Sequence, residues 1–144
     1  MSEAAPLFQN VALARVPGEL VRAILSHPEN LPLWDAEIAE VVPEAGGFHI
    51  LRHSPALNTE EHVTVTTTAD QVIYQSQGGR LAYQLSFTLS SAAKQTTITE
   101  TLIVPPANSL PLPLSLLAPI AKQAFAQNLQ ALVTLAESPL EVTP

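Results

Sequence analysis

The chain contains no cysteine, and it is poor in charged residues of either sign. Without cysteine there is no disulfide framework, no thiolate nucleophile and no cysteine-based zinc site, and either redox compartment is tolerated. Charged residues make up only 13% of the chain, below the usual quarter. Lysine and arginine together number 6 against 13 acidic residues, a formal net charge of −7. That balance disfavours nucleic acid and anionic lipid head groups, which both require a basic surface.

Long apolar runs are also missing. The most apolar stretch extends from Leu110 to Ala121 and is interrupted by three prolines. It is too short to cross a bilayer, so stable membrane insertion is not expected. The opening sequence MSEAAPLFQN has neither the basic n-region nor the apolar h-region of a signal peptide. We therefore expect a cytoplasmic protein.

Apolar residues are nevertheless plentiful, at 47% of the 144 residues. This content supports a substantial core, and no repeat or linker divides the chain. We expect a single domain over residues 1–144. The sequence leaves its oligomeric state open.

The first third of the chain predicts a strand followed by two helices. Pro6 to Arg15 has the loose alternation of a strand. Pro17 suits the first position of a helix, which Pro28 ends. The stretch HPENLPLWD predicts a second, very short helix or turn that finishes at Trp34.

Six strands with short turns are predicted next. They are Ile38–Val42, Phe48–Arg52, His62–Thr68, Gln71–Gln77, Arg80–Ser90 and Thr96–Val104. Gly46-Gly47 predicts one turn, and Gly78-Gly79 is the strongest hairpin signal in the chain. Consecutive strands joined in this way are typical of an antiparallel meander.

The last third predicts a long helix from about Ser115 to Glu137, ~30 Å in length. Pro119 is expected either to kink this helix or to mark its start, and the tail after Ser138 is expected to fray. One apolar stripe follows it at helical spacing: Leu114, Leu117, Ala121, Ala124, Phe125, Asn128, Leu132 and Leu135. A six-stranded sheet needs such a stripe to cover its inner face. The prediction is an α+β fold, β-α-α-β6-α, in which a curved antiparallel sheet of about seven strands surrounds the C-terminal helix and an apolar cavity lies between them.

Two segments and the meander between them resemble the START-like, or Bet v 1-like, superfamily (SRPBCC), also called the polyketide cyclase/dehydrase and lipid transport group. The segments are PGELVRAILSHPENLPLWD and QNLQALVTLAE. The resemblance implies the helix-grip fold over nearly the whole chain. Members of the superfamily include lipid and hormone carriers, polyketide cyclases, hydrolase activators and antitoxin-like ribosome-associated proteins, so the fold does not choose a function.

Alternation along the last two strands predicts which side chains line the cavity, because every second residue of a strand faces the same side. We expect an apolar lining that two polar residues, Glu100 and Asn128, interrupt from opposite sides. The predicted ligand-binding residues are Trp34, Leu81, Tyr83, Leu85, Phe87, Ile98, Glu100, Leu102, Leu117, Ala121, Ala124 and Asn128.

Glu100 is the candidate catalytic residue. A carboxyl group in an apolar cavity has its pKa raised by desolvation, and it could act as an acid or base or fix the polar end of a ligand. The alternative is a solvated position at the open end, or an ion pair with Arg80 or Arg52. Asn128 either hydrogen-bonds a ligand or is a satisfied buried amide.

The aromatic candidates also carry two interpretations each. Tyr83 and Tyr74 either offer a hydroxyl to the cavity or are half-buried with the hydroxyl in water. Trp34 is expected to pack beneath the short helix, with a ligand contact as the alternative.

No metal or cofactor is expected. His49 and His53 lie ~13 Å apart on one strand, too far for one zinc ion, and His27 and His62 are isolated in the sequence. The chain has no HExxH, no GxSxG, no Walker motif and no GxGxxG.

Three functions remain open. The leading hypothesis is the binding of a hydrophobic small molecule such as a lipid, an isoprenoid or a polyketide-like ring. The second is a cyclase, dehydratase or isomerase that uses Glu100 as an acid or base. The third is an antitoxin-like protein-interaction module, which would need an exposed apolar or basic docking surface.

Overall fold

The computed structural model describes residues 6–105 and 113–138. The predicted lead into the last helix, including Leu110 and Pro111, and the tail predicted to fray lie outside these residues. The elements are β1 (Pro6–Ala14), α1 (Gly18–Ser26), a 3-10 turn (Pro28–Asn30), α2 (Leu31–Trp34), β2 (Ile38–Glu44), β3 (Gly47–Arg52), β4 (Glu60–Thr67), β5 (Gln71–Gln77), β6 (Tyr83–Ala92), β7 (Gln95–Ile103) and α3 (Leu114–Glu137). This order confirms the predicted β-α-α-β6-α arrangement. No helix of the described chain is long and apolar enough to cross a membrane.

The seven strands form one antiparallel sheet in the order β1-β7-β6-β5-β4-β3-β2. Strands β2 to β7 follow one another as the predicted meander, and β1 adds to the free side of β7. In this register Asn10 of β1 lies directly opposite Glu100 of β7, and Phe87 of β6 lies opposite it on the other side. The sheet therefore places Glu100 between a residue of the N-terminal strand and a residue of β6.

The inner face of the sheet follows the expected alternation on its last two strands. Leu85, Phe87 and Leu89 are buried on β6, and Ile98, Glu100 and Leu102 are buried on β7. On β1 the inner set is Phe8, Asn10 and Ala14, whereas Val11 and Leu13 are 64% and 49% exposed. Val11 and Leu13 thus face outward, whereas Phe8 faces the core.

The turn at Gly78-Gly79 is longer than predicted, because β6 begins at Tyr83 and not at Arg80. The Asn58 side chain explains why β6 begins later than predicted. Its Oδ1 accepts a hydrogen bond from the Leu81 N–H at 2.8 Å, and its Nδ2 donates to the Leu81 carbonyl at 2.9 Å. A Cβ at Gly79 would lie 2.5 Å from Cγ of Asn58, so the chain needs glycine there.

Helix α3 contains Pro119 within its first turns, so this proline does not mark its start. The fully buried residues of α3 are Leu129, Leu132, Val133 and Ala136, all in its C-terminal half. The buried stripe is therefore rotated from the predicted seam. Ala124 is exposed, which corrects its assignment to the cavity, because it lies at the margin of that stripe and not on the side that bears Phe125 and Leu129.

The C-terminal half of α3 packs into the core near β1, α1 and α2. At this end of the sheet, Phe87 meets Trp34 and Tyr74 edge to face at centroid distances of 6.0 and 5.8 Å. The N-terminal half of α3 is less buried, and Leu116 and Ile120 are exposed there. Space between helix and sheet therefore remains beneath the first half of α3.

A two-part cavity with two buried glutamates

Two adjoining cavities lie between α3 and the sheet, and Arg52, Tyr83 and Phe125 line both. The inner one has a volume of about 20 Å³ and is lined by Leu31, Trp34, Asp35, Ile50, Arg52, Glu61, Val63, Tyr74, Tyr83, Leu85, Glu100, Phe125 and Asn128. The outer one has about 80 Å³ and is lined by Leu7, Glu37, Arg52, Leu57, Asn58, Leu81, Tyr83, Leu102, Leu114, Leu117, Ala121 and Phe125. The inner cavity is at the scale of one water molecule, and the outer one is larger and mostly apolar.

The inner cavity is more polar than the sequence predicts. Glu100 and Asn128 do line it, but Asp35, Arg52 and Glu61 line it as well. An apolar lining interrupted by two polar residues is therefore wrong for this part of the site. The apolar description fits the outer cavity.

Glu61 is fully buried and fully hydrogen-bonded. Its Oε1 accepts from Arg52 Nη2 at 2.7 Å and from the Tyr83 hydroxyl at 2.8 Å, and its Oε2 accepts from Asn58 Nδ2 at 2.6 Å. Arg52 Nη2 also donates to the Tyr83 hydroxyl at 3.0 Å. Because Asn58 also holds Leu81, this network ties β3, β4 and the start of β6 together.

Glu100 is equally buried but has far fewer partners. Its Oε1 accepts one hydrogen bond, from Asn10 Nδ2 at 3.2 Å, and Asn10 Nδ2 also lies 3.2 Å from the Lys122 carbonyl of α3. Burial raises the pKa of Glu100 to about 7; the Asn10 hydrogen bond opposes this shift and the charge of Asp35 adds to it. Among the described residues no arginine pairs with Glu100, since Arg52 is held by Glu37 and Glu61. The solvated and ion-paired alternatives for Glu100 are therefore wrong.

Three residues of the inner cavity carry a buried polar atom with no hydrogen-bond partner in the described chain. They are Glu100 at Oε2, Trp34 at Nε1 and Arg52 at Nε. Buried polar atoms are rarely left unpaired, so each needs an explanation. All three residues line the inner cavity.

Both tyrosine hydroxyls are bonded within the described chain, which differs from the interpretation that they reach water. Tyr83 lines both cavities, and its hydroxyl is bonded to Glu61 and Arg52. The Tyr74 hydroxyl donates to the Leu25 carbonyl of α1. Burial raises the pKa of both phenols far above the ordinary value, so neither ionises near neutral pH. Burial also raises the pKa of Asp35, against the opposing charge of Arg52.

The predicted lining residues are divided among four locations: the inner cavity, the outer cavity, the core and the surface. Trp34, Tyr83, Leu85, Glu100 and Asn128 line the inner cavity, and Leu81, Tyr83, Leu102, Leu117 and Ala121 line the outer one. Phe87 and Ile98 are buried in the core and line neither cavity. Ala124 is exposed.

The sequence interpretation missed Asn10, Asn58 and Glu61 as site residues. Asn10 alternates with Phe8 on β1, and Glu61 alternates with Val63 on β4, so a parity signal was present for both. Asn58 carries no such signal, because it lies in the loop before β4.

Histidines form a cluster on the outer face of the sheet. His62 is not isolated, because it lies directly opposite His49 in the β3–β4 register. His49 Nε2 lies 3.2 Å from the Glu60 carboxylate, and His62 contacts Glu44. No group of three or more His, Asp or Glu residues in the described part of the chain has the arrangement of a metal site.

No protein-family model and no curated protein matches the chain. Solved structures do match its fold. A START superfamily protein from Mycobacterium smegmatis has a TM-score of 0.76 and 17% identity, over 90% of this chain and 96% of that one. A STAR-related lipid transfer protein from Xanthomonas axonopodis has a TM-score of 0.65 and 14% identity, over 90% and 85%. A di-domain ARO/CYC protein of the steffimycin biosynthetic pathway has a TM-score of 0.66 and 14% identity, over 90% of this chain and 44% of that one.

These likenesses define the fold. The chain has the START-like, Bet v 1-like helix-grip fold of the SRPBCC group, as its sequence predicts. At such identities the fold is shared by proteins of different activity, so function has to be argued from this chain's own residues.

Proposed function

We propose that this protein binds a hydrophobic small molecule in the two-part cavity between the sheet and α3. The supporting observation is the outer cavity, where leucines from β1, the β3–β4 loop and α3 surround open space together with Ala121 and Phe125. Concave apolar surface with a few polar groups at one end is the usual form of a small-molecule site. The lipid transfer and ARO/CYC structures share this fold, which agrees with a ligand of this kind.

Helix α3 offers a matched pair of variants to test this proposal. Ala121 lines the outer cavity, whereas Ala124, three residues further along, is exposed. Ala121→Phe should fill the cavity and weaken binding of the neutral fluorescent probe N-phenylnaphthylamine by about tenfold or more, ~1.4 kcal/mol. Ala124→Phe should bind the probe as the parent chain does.

Fluorescence titration of the two variants and the parent chain measures the difference. Equal probe binding by both variants, or no probe binding by the parent chain, would contradict the proposal. Native mass spectrometry of the purified protein provides an independent measurement. A protein that carries no small molecule and retains none from an apolar library would count against it.

Proton transfer by Glu100 is a second candidate function. The observation in its favour is a carboxyl group with a pKa of about 7 and one unpaired oxygen on the cavity wall. A general acid or base works best when its pKa lies near the working pH. Such a group suits a cyclase, dehydratase or isomerase.

A generic substrate can test Glu100 as a base. Nitrobenzisoxazole opens when a base removes its ring C–H proton and the N–O bond breaks, which releases a coloured phenolate. We expect a rate that rises with pH around 7 and is lost in Glu100→Gln. A rate unaffected by Glu100→Gln would exclude catalysis by this carboxylate in the test reaction.

A further inference from the structure

The two edges of the sheet differ in how well they are protected from pairing with another strand. Strand β2 forms one edge. It contains Pro43, which has no N–H to donate, and the exposed carboxylates of Glu40 and Glu44. Proline and charged side chains on an edge strand hinder the addition of a further strand. The β2 edge therefore has the composition of an edge that stays unpaired.

Strand β1 forms the other edge and lacks this protection. After Pro6 at its start it contains no proline, and none of its nine residues is charged. Its neighbour in the sheet is β7, and outside the sheet no backbone hydrogen bond of the described chain involves residues 6–14. Alternate N–H and C=O groups of β1 point away from β7, where they meet no further strand of the described chain.

Exposed apolar side chains accompany this open edge. Val11 is 64% exposed and Leu13 is 49% exposed, and both lie on the outer face of the sheet. The β7 residues beside them, Thr99 and Thr97, are uncharged. Because the chain has a net charge of −7, two copies of it repel each other, and this repulsion is smallest where the contacting surfaces carry no charge. The β1 edge is such a surface.

We propose that β1 pairs antiparallel with β1 of a second copy of the chain, so that the two seven-stranded sheets join into one. A two-fold axis makes an antiparallel pair of identical strands self-complementary. With Ala12 opposite itself across the axis, Val11 of each copy lies beside Leu13 of the other on the outer face, and these side chains leave water together. In this register Arg15 faces Gln9, so no like charges are opposed.

Association through β1 stops at two copies. The joined sheet has β2 at both of its ends, where Pro43, Glu40 and Glu44 hinder the addition of further strands. The interface does not include the cavity, and it can therefore be tested independently of the proposed function.

Two valines provide a matched pair of variants, because Val11 is exposed on the β1 edge and Val42 is exposed on the β2 edge. Val11→Lys places a charge in the proposed interface, whereas Val42→Lys places the same charge on the opposite edge. Analytical ultracentrifugation over about a hundredfold range of concentration measures the monomer–dimer equilibrium. The parent chain and Val42→Lys should dimerise with the same dissociation constant, and Val11→Lys should raise that constant about tenfold or more.

Hydrogen exchange distinguishes pairing through β1 from other modes of dimerisation. When the parent chain is diluted from dimer to monomer, the alternate β1 amides that point away from β7 should lose protection, whereas the β2 amides should not change. This comparison needs no substitution, so it remains valid if Val11→Lys does not fold. A parent chain that is monomeric at every concentration, or a dimer that Val11→Lys weakens no more than Val42→Lys, would overturn the proposal. So would an assembly of more than two copies, or β1 amides that stay protected in the monomer.

Discussion

Glu61 and Glu100 occupy similar positions on the inner face of one sheet, and both are completely shielded from solvent. Their surroundings differ. Glu61 accepts three hydrogen bonds, one from a guanidinium group, one from a phenol and one from an amide. Glu100 accepts one, from Asn10, and leaves its second oxygen unpaired.

This difference in hydrogen bonding gives the two carboxyl groups different roles. A buried carboxylate that is fully paired is held in place and has little capacity to bind anything else. A buried carboxyl group that is half paired costs stability, and a ligand can compensate for that cost. On the proposed function, the Glu61 side acts as the brace that stabilises the cavity wall, and the Glu100 side acts as the receptor that contacts the ligand.

The largest expected effect comes from removing the cation of the Glu61 network. Arg52→Met should lower the free energy of unfolding by about 3–5 kcal/mol, because it leaves a buried carboxylate without its positive partner. Urea denaturation measures the change. Arg80→Met, at an exposed arginine, should stay within about 0.5 kcal/mol of the parent chain. A loss below about 1 kcal/mol for Arg52→Met would show that Glu61 does not depend on its ion pair.

Burial of Glu100 should make the free energy of unfolding depend on pH. The pKa of Glu100 is about 7 in the folded chain, whereas the ordinary value of a glutamate, expected in the unfolded chain, is 4.5. This difference corresponds to about 3 kcal/mol in the free energy of unfolding. Because the folded state binds this proton more tightly, the contribution is complete below about pH 4.5 and disappears as the pH rises through 7. Glu100→Gln should lack this loss.

Urea denaturation of the parent chain and of Glu100→Gln between about pH 4 and pH 8 measures the contribution as a difference. Titrating groups that are present in both chains and lie away from Glu100 largely cancel in this difference. Glu40→Gln serves as the exposed control and should keep the slope of the parent chain. Parallel curves for the parent chain and Glu100→Gln would disprove the raised pKa.

The sequence predicts the fold well, because its signals are local. Strand alternation, helical spacing and proline stops each lie within a few residues, and the sequence predicts β5 at its observed bounds of Gln71–Gln77. The burial of Glu100 followed from the strict alternation of its strand, Ile98 to Leu102.

The partners of Glu100 and Glu61 were harder to predict, because they depend on register and on exceptions to pattern. The parity of Asn10 is hard to assign from the sequence, because Phe8 faces inward whereas Val11 and Leu13 face outward. Glu61 is hard to predict as a strand residue, because a pair of glutamates resembles the end of a loop, whereas β4 begins at Glu60. The division of the cavity depends on the distance between α3 and the sheet, which no local pattern encodes.

Tyr83 tests whether the two sides of the cavity are independent. Tyr83→Phe removes one donor to Glu61 and should lower the free energy of unfolding by about 1–2 kcal/mol. Tyr83 makes no hydrogen bond with Glu100 within the described chain. The effect of Glu100→Gln on the pH dependence of unfolding should therefore be the same with Tyr83 and with Tyr83→Phe. Urea denaturation of the four combinations of Tyr83→Phe and Glu100→Gln measures both effects. A coupling well above about 0.5 kcal/mol would show that brace and receptor form one unit.

The smallest expected effect concerns the single hydrogen bond that Glu100 does accept. Asn10 Nδ2 stabilises the ionised carboxylate, so it opposes the effect of burial on the pKa. Asn10→Leu should therefore raise the pKa of Glu100 further. The carboxyl carbon chemical shift of Glu100 in an NMR titration measures this pKa. Gln9→Leu is the matched control, because Gln9 is the preceding residue of β1, faces outward and donates to Thr101. A fall in the Glu100 pKa on Asn10→Leu would mean that water enters the cavity and solvates the carboxylate. Glu100 would then be more accessible to solvent than its burial in the structure indicates.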